Sequence, residues 1–233
     1  MTVTITYYSN KIGLASLLVN LQPQLDENDH IYVVDTSPDK SGLEIVKMYG
    51  SNRAVVMCET SNPCGIYKAW NFGIQSMMEN KQEGILILND DVLLSTTFIA
   101  NLKKAHKLSR HLALVPATPS RNWVSQKLDP NFKWYSKAIQ KADIATTKWL
   151  RGFVFYLKRE CVEQYGNFNE KYMVWCGDTE YENRIRGKIG IFKNEYVYHF
   201  GGKSFNYMSD ETKKKIEADI KLYKEMTGND ILR

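Results

Sequence analysis

The chain has 233 residues, 43% hydrophobic and 24% charged, the balance of a globular protein able to bury a sizeable core. Its net charge is +5, but the 31 basic residues are spread along the sequence, densest at Lys213, Lys214 and Lys215, which does not mark a nucleic-acid binder; attraction to phosphorylated small molecules or to an anionic membrane surface stays open beside a solvated helix face. No apolar run approaches the roughly 18 residues of a membrane span, and the opening TVTITYY alternates with threonine, unlike a signal peptide, so a cytoplasmic protein is expected, with peripheral membrane contact left open.

Val3 to Tyr8 is β-branched and aromatic and ends in Ser9 and Asn10, which predicts a strand and a polar turn. Leu14, Leu17, Leu18, Leu21 and Leu25 follow helical spacing up to Pro23. A second strand, Ile31 to Val34, runs into Asp35 and the turn Thr36 to Asp39. A short helix with Leu43, Val46 and Tyr49 follows, closed by Gly50. Ala54 to Met57 predicts a third strand, and Ser61 to Gly65 a loop into a helix bearing Ile66, Trp70, Ile74, Met77 and Met78.

The stretch Gly84 to Leu94, GILILNDDVLL, organises the rest. Four apolar residues make a buried strand, so Asn89, Asp90 and Asp91 sit at its carboxyl end, where open α/β sheets bind ligands. Three hard-oxygen side chains in a row suit Mg²⁺ or Mn²⁺, ions usually completed by substrate phosphates. A polar turn is the plain alternative. A helix from about Thr96 to Lys107 and a strand at Leu112 to Val115 continue the alternation, predicting a mostly parallel sheet with helices on both faces and placing Asp35 and Asp91 on one edge.

Beyond Pro116 the pattern lapses. Residues 118 to 147, with Arg121, Trp123, Trp134 and Tyr135, read as a functional loop bordering the substrate. Trp149 to Leu157 predicts a strand interrupted at Gly152, where backbone or ligand approaches closely, and Lys158 to Tyr165 a helix ending at Gly166. In WCGDTEYENRIR, Asp178, Glu180 and Glu182 open a helix, either as acids favoured at its positive end or with one of them as a general base. Two short strand pieces, Gly190 to Lys193 and Tyr196 to Phe200, lead to His199, Gly201, Gly202, Lys203 and Ser204, a set able to meet a diphosphate or its metal. Asp210 to Met226 predicts an amphipathic helix with Ile216, Ile220, Tyr223 and Met226 on its apolar face. Cys58, Cys64, Cys161 and Cys176 form no CxxC pair and point to free thiols in a reducing compartment.

In this order, TYYSN, VVDTS, LNDDV and GDTEYENR followed by HFGGKS, spanning roughly residues 2 to 205, the sequence resembles glycosyltransferase family 2, rhamnosyltransferase-like members included. The resemblance implies a single α/β domain of GT-A fold: residues 1–117 as the nucleotide-binding half, 118–205 as the acceptor side, and 206–233 as a terminal helix. It implies Asp178 as catalytic base and Asp91 with His199 at a Mn²⁺ or Mg²⁺ ion. It implies Tyr7, Asp35, Asn71, Asn89 and Asp90 around the nucleotide, with Gly73 on the same bordering helix. Trp149, Arg151, Trp175 and Glu180 are the acceptor-side candidates. Three departures stand out: Asn89 in place of the usual first Asp, Thr36 in place of a second acid, and Gly177 where a glutamate often precedes the base.

The implied reaction is an inverting transfer from a UDP-, dTDP- or GDP-sugar to a hydroxyl of a glycan or glycolipid acceptor. Two other readings stand beside it. A sugar nucleotidyltransferase would need a Gly-rich phosphate loop with basic residues near positions 8 to 15, and none is visible there. A catalytically silent sugar- or nucleotide-binding module is the other.

Overall fold

Residues 1–58, 65–117, 139–200 and 210–231 are described by the computed structural model of the protein. Strand β1 (Thr2–Tyr7) leads through helix α1 (Lys11–Leu21) to β2 (His30–Asp35), and α2 (Gly42–Tyr49) leads on to β3 (Ala54–Cys58). Asn10 caps α1 by accepting the Gly13 N–H at 3.1 Å, and Pro23 falls in the single 3₁₀ turn that closes it. Helix α3 (Ile66–Glu79) then crosses back to β4 (Gly84–Asn89). These four strands pair in parallel in the order β3-β2-β1-β4, as the alternation of strands and helices predicts. The chain leaves β1 to one side and returns on the other, so the order switches between β1 and β4.

The second half is β5 (Val92–Leu94), α4 (Phe98–Leu108), β6 (Ala113–Ala117), β7 (Ile144–Thr147), β8 (Val154–Lys158), α5 (Arg159–Tyr165), α6 (Gly177–Arg184), β9 (Ile189–His199) and α7 (Asp210–Thr227). Here the sheet becomes mixed: β8 lies antiparallel between β4 and β6, and β6 runs parallel to β9. Two details differ from the pattern read in the sequence. Ile144–Thr147 belongs to the region read as irregular yet forms an edge strand against β9. The strand expected from Trp149 starts only at Val154, because Val154 N–H closes a turn on Arg151 O at 2.7 Å.

The two strand pieces expected near the end are one strand. The first part of β9 pairs with β6 and β7, whereas Val197 to His199 leave that register and pair with β5, Val92 opposite His199. This short β5–β9 ribbon stands at the carboxyl edge of β4.

Period-two alternation sorts the side chains between two cores. Val3, Ile5 and Tyr7, with Leu86, Leu88, Val154 and Tyr156, face α1, α2 and α4. Ile85, Ile87, Phe155 and Leu157 face α3, α5, α6 and α7, where Tyr67, Trp70, Phe168, Tyr172 and Tyr181 pack edge-on and stacked. Gly73 lets α3 approach β1 so closely that a Cβ there would overlap the Thr4 hydroxyl.

Helix α7 corrects one expectation. Its buried residues are Asp219 and Tyr223, while Ile220 and Met226 are 40% and 50% exposed. Periodicity alone reads an aspartate as the wet face; here it is the most buried position of the helix. Cys161 and Cys176 are free thiols, as expected. No helix among the described residues is long and apolar enough to cross a membrane.

Candidate active site

The carboxyl ends of β1 and β4 meet at the switch in strand order, the place where open α/β sheets bind ligands. Asp90 bridges the two, its Oδ2 accepting the Tyr8 N–H at 2.9 Å, while Asn10 Nδ2 reaches the Asp90 carbonyl at 3.4 Å. Burial pushes the Asp90 carboxyl up to about 8; the Tyr8 bond lowers it and the neighbouring Asp91 charge raises it further. Asp90 therefore fastens the crevice floor with a buried carboxyl group.

Asp91 follows immediately and faces the β5–β9 ribbon. Its Oδ1 lies 3.1 Å from His199 Nε2, and its backbone carbonyl accepts the Phe200 N–H at 2.9 Å. Yet among the described residues Asp91 Oδ1 is a buried oxygen with no hydrogen-bond partner, as is Asn89 Oδ1, so the short approach to the imidazole is not a well-aligned hydrogen bond. Two ligands side by side on an octahedral ion with bonds of about 2.1 Å lie about 3 Å apart without bonding to each other. An orphaned carboxylate oxygen beside an imidazole nitrogen at that spacing fits a divalent cation, and the mixed O and N donors suit Mn²⁺ at least as well as Mg²⁺. No group of three or more His, Cys, Asp or Glu side chains able to hold a metal occurs among the described residues, so further ligands would have to come from a bound substrate. The Gly201 to Ser204 part of the expected set lies outside the described residues.

Asp178 is the second residue of α6 and is 7% exposed. Its Oδ1 accepts the Thr179 N–H at 2.9 Å and lies 3.4 Å from the Tyr67 hydroxyl. Burial, then the charge of Asp178, push the Tyr67 phenol well above its ordinary value, so it remains a donor toward the carboxylate. On the other side stands Gly152, where a Cβ would come within 2.6 Å of Asp178 Oδ2. The close approach expected at this glycine is an approach by Asp178.

The segment around Gly152 ties the two acidic groups together. Phe153 stacks flat on the His199 ring, centroids 4.0 Å apart and planes 3° apart, and its carbonyl accepts the Asn89 N–H at 3.0 Å. The Asp91–His199 pair and Asp178 are thus held by adjacent residues of one turn.

Other candidates have different surroundings. Tyr7 is fully buried, its hydroxyl 2.7 Å from Ser41 Oγ, because alternation along β1 turns odd positions into the core; Tyr8, 58% exposed, is the aromatic at the crevice. Asp35 is also fully buried: Oδ1 accepts from the Ser37 amide and hydroxyl and Oδ2 from the Gly42 N–H at 2.8 Å. These bonds make an Asx-type turn at the carboxyl end of β2. Asn71 exchanges hydrogen bonds with both backbone groups of Phe168, at 2.9 and 3.0 Å, and donates to Glu170, so it joins α3 to the chain after α5 instead of facing the crevice.

On the acceptor side, Trp149 is 43% exposed, Trp175 is partly buried against the α3–α6 core, and Arg151 is partly buried next to Gly152. Glu180 is held by Arg184, Oε1 to Nε at 2.8 Å and Oε2 to Nη2 at 2.9 Å, and Arg184 donates onward to the carbonyls of Tyr165 and Asn167 at the end of α5. The EYENR spacing places the two one helical turn apart, which makes Glu180 part of a clamp between α5 and α6. Tyr67 and Phe153 escaped the sequence reading, since an aromatic in an apolar stripe reads as core. The loop residues Arg121, Trp123, Trp134 and Tyr135 lie outside the described residues.

No family model matches the sequence, and no curated protein matches it. Solved structures do. The crystal structure of S. aureus TarS 1-349 in complex with UDP-GlcNAc matches with a TM-score of 0.65 at 14% identity, covering 100% of this chain and 67% of that one. GalNAc-T7 with UDP, GalNAc and Mn²⁺ matches with a TM-score of 0.66 at 16% identity, covering 94% of this chain and 47% of that one. The mannosyltransferase PcManGT from Pyrobaculum calidifontis, in complex with GDP-Man and Mn²⁺, matches with a TM-score of 0.57 at 19% identity, covering 82% of this chain and 55% of that one. The chain spans 64% of TarS 1-349 and 40% of a longer TarS structure. At such identities the likeness speaks for architecture, and the architecture of this chain is the GT-A glycosyltransferase fold.

Proposed function

We propose that the protein is a metal-dependent, inverting glycosyltransferase that moves a sugar from a nucleotide diphosphate sugar to an acceptor hydroxyl on a glycan or glycolipid. The observation that carries this reading is the pairing of an orphaned Asp91 oxygen with His199 at the switch crevice, one turn of chain away from a buried carboxylate suited to act as a base. The matched structures that hold UDP with Mn²⁺ or GDP-Man with Mn²⁺ support the donor class.

In this reading Asp91 and His199 would hold the cation, which would supply positive charge beside the diphosphate. Asp90 and Tyr8 shape the crevice wall where the nucleotide lies, with Asp35 beneath it. Asp178 takes the proton of the acceptor hydroxyl as that oxygen attacks the anomeric carbon and the bond to the diphosphate breaks, and attack from the side opposite the leaving group inverts the centre. Tyr67 and the Thr179 N–H orient the carboxylate, and Gly152 leaves room beside it. Trp149 and Trp175 offer aromatic faces to the acceptor sugar, and Arg151 is the third residue assigned to that side.

Thermal stabilisation by UDP, dTDP, GDP and CMP, each with Mn²⁺, Mg²⁺ or EDTA, tests the proposal. One diphosphate should raise the Tm only with metal, by an amount corresponding to about 2.7 kcal/mol at a hundredfold excess over Kd. If the folded protein responds to none of them, the metal and diphosphate assignment falls, and a binding role unrelated to nucleotide sugars takes its place.

A further inference from the structure

We propose that helix α7 acts as a splint for the base-bearing segment and that Asp219 is a positioning residue for Asp178. The proposal rests on the reading of Asp178 as the base and adds to it how that base is aimed. Asp219 is 2% exposed in the middle of α7, on a helix whose other charged residues are exposed or half-exposed. Its carboxylate collects three consecutive backbone amides: Met173 N–H at 2.9 and 3.1 Å, Val174 N–H at 2.7 Å and Trp175 N–H at 2.8 Å. Successive N–H groups converging in this way form an anion-binding nest, filled here by the protein's own carboxylate.

The residues directly after the nest give it a use. Cys176 adopts φ 69°, ψ −24°, a left-handed conformation that is strained for a residue with a side chain and persists only where the surroundings over-determine it. Gly177 comes next, its N–H bonded to Trp175 O at 2.9 Å and its Cα so close to Tyr67 that a Cβ would lie 2.7 Å from the ring. Asp178 is the next residue. The direction in which α6 starts, and with it the direction of the Asp178 carboxylate, is therefore set by residues 173–176, which Asp219 holds from behind. The same hold fixes Trp175, the acceptor-side aromatic.

The grip extends along one stripe of α7. Tyr223, one turn beyond Asp219, accepts from Asn183 Nδ2 at 2.9 Å near the far end of α6, and Met226 Sδ receives the Tyr172 hydroxyl at 3.7 Å. Helix α7 thus braces both the chain before α6 and α6 itself. An asparagine at 219 keeps one oxygen but cannot accept from three amides with two oxygens, so a shape-conserving change suffices to loosen the nest.

The test uses Asp219→Asn, Asp219→Ala and Tyr223→Phe in the full chain, with three readouts. These are hydrogen exchange of the amides of Met173, Val174 and Trp175, the Tm shift given by UDP with Mn²⁺, and steady-state release of nucleoside diphosphate from the nucleotide sugar, with water or a glycan as acceptor. Asp219→Asn should expose the three amides, preserve the UDP and Mn²⁺ shift, and lower kcat tenfold or more with donor KM within twofold; a displacement of about 1 Å in a reacting group is enough for losses up to about 10²-fold. Tyr223→Phe, which keeps the ring in place, should give a smaller loss of kcat with the same split, and it decides the matter if both Asp219 variants fail to fold. Exposed amides with unchanged kcat, or a fall in kcat matched by loss of the nucleotide shift, overturns the positioning role. Failure of the underlying reading looks different: wild type and Asp178→Asn would then release diphosphate at the same rate.

Discussion

Asp178→Asn should lower the rate of sugar transfer by about 10² to 10⁴-fold, the usual contribution of a positioned general base, and leave the Tm shift produced by the nucleotide and Mn²⁺ intact. Asparagine matches the shape of the carboxylate and can still accept the Thr179 N–H and the Tyr67 hydroxyl through one oxygen, so α6 has no reason to move. What disappears is the ability to take a proton. Tyr67→Phe gives the complementary result. Its hydroxyl lies 3.4 Å from Asp178 Oδ1 and helps aim the carboxylate, so its removal should lower kcat by less than Asp178→Asn does and leave the nucleotide shift intact. Measuring kcat and the Tm shift for wild type and both variants checks the pair; an unchanged kcat in Tyr67→Phe would mean that the phenol does not orient the base.

Asp91→Asn should produce two effects of opposite sign. Without ligands the variant should be at least as stable as wild type, since the substitution removes a charge next to the Asp90 carboxyl and relieves a buried, unbonded carboxylate oxygen. A gain of about 1 kcal/mol would appear as a rise of about 2–4 °C in Tm for a chain of this size. With UDP and Mn²⁺ the order should reverse, because the increment that the metal and diphosphate give wild type should vanish. A site kept at some expense to stability is what a functional cation site predicts. If Asp91→Asn lowers the ligand-free Tm by several degrees, the carboxylate is a structural partner of His199, and the cation reading loses its main support.

The parallel half of the sheet was readable because each strand from β1 to β4 is a short β-branched run ending in a polar turn, and each intervening helix keeps its leucine or aromatic spacing. The reading fell short where two or three residues decide the outcome. Val92 to Leu94 looks like the tail of β4 in the sequence, and only the partner strand, more than a hundred residues away, makes it half of a ribbon. Tyr7 and Tyr8 differ by a single step of alternation. The odd positions Val3 and Ile5 already pointed Tyr7 inward, but which face of β1 is covered depends on α1 and α2. The long-range bonds of Asn71 and Asp219 are illegible in the sequence for a common reason: each reaches backbone groups distant along the chain, and no local pattern records such a bond. The acidic residues of the candidate site stand out because carboxylates grouped at a strand's end or at a helix start are conspicuous in a sequence, whereas their supports, Tyr67, Gly152 and Phe153, are ordinary core residues in any window.

Gly152 and Phe153 are neighbours in the chain, and consecutive Cα atoms are about 3.8 Å apart. One faces Asp178 and the other is stacked on His199. A donor complex that tilts the imidazole must tilt Phe153 or part the stacked rings, and a tilt of Phe153 turns the peptide unit against which the carboxylate rests. On the proposed reading, a change at the donor side should thereby reach the acceptor side mechanically. In kinetic terms, that reading expects compulsory order, with the nucleotide sugar seated before the acceptor is activated and with water poorly activated in the meantime.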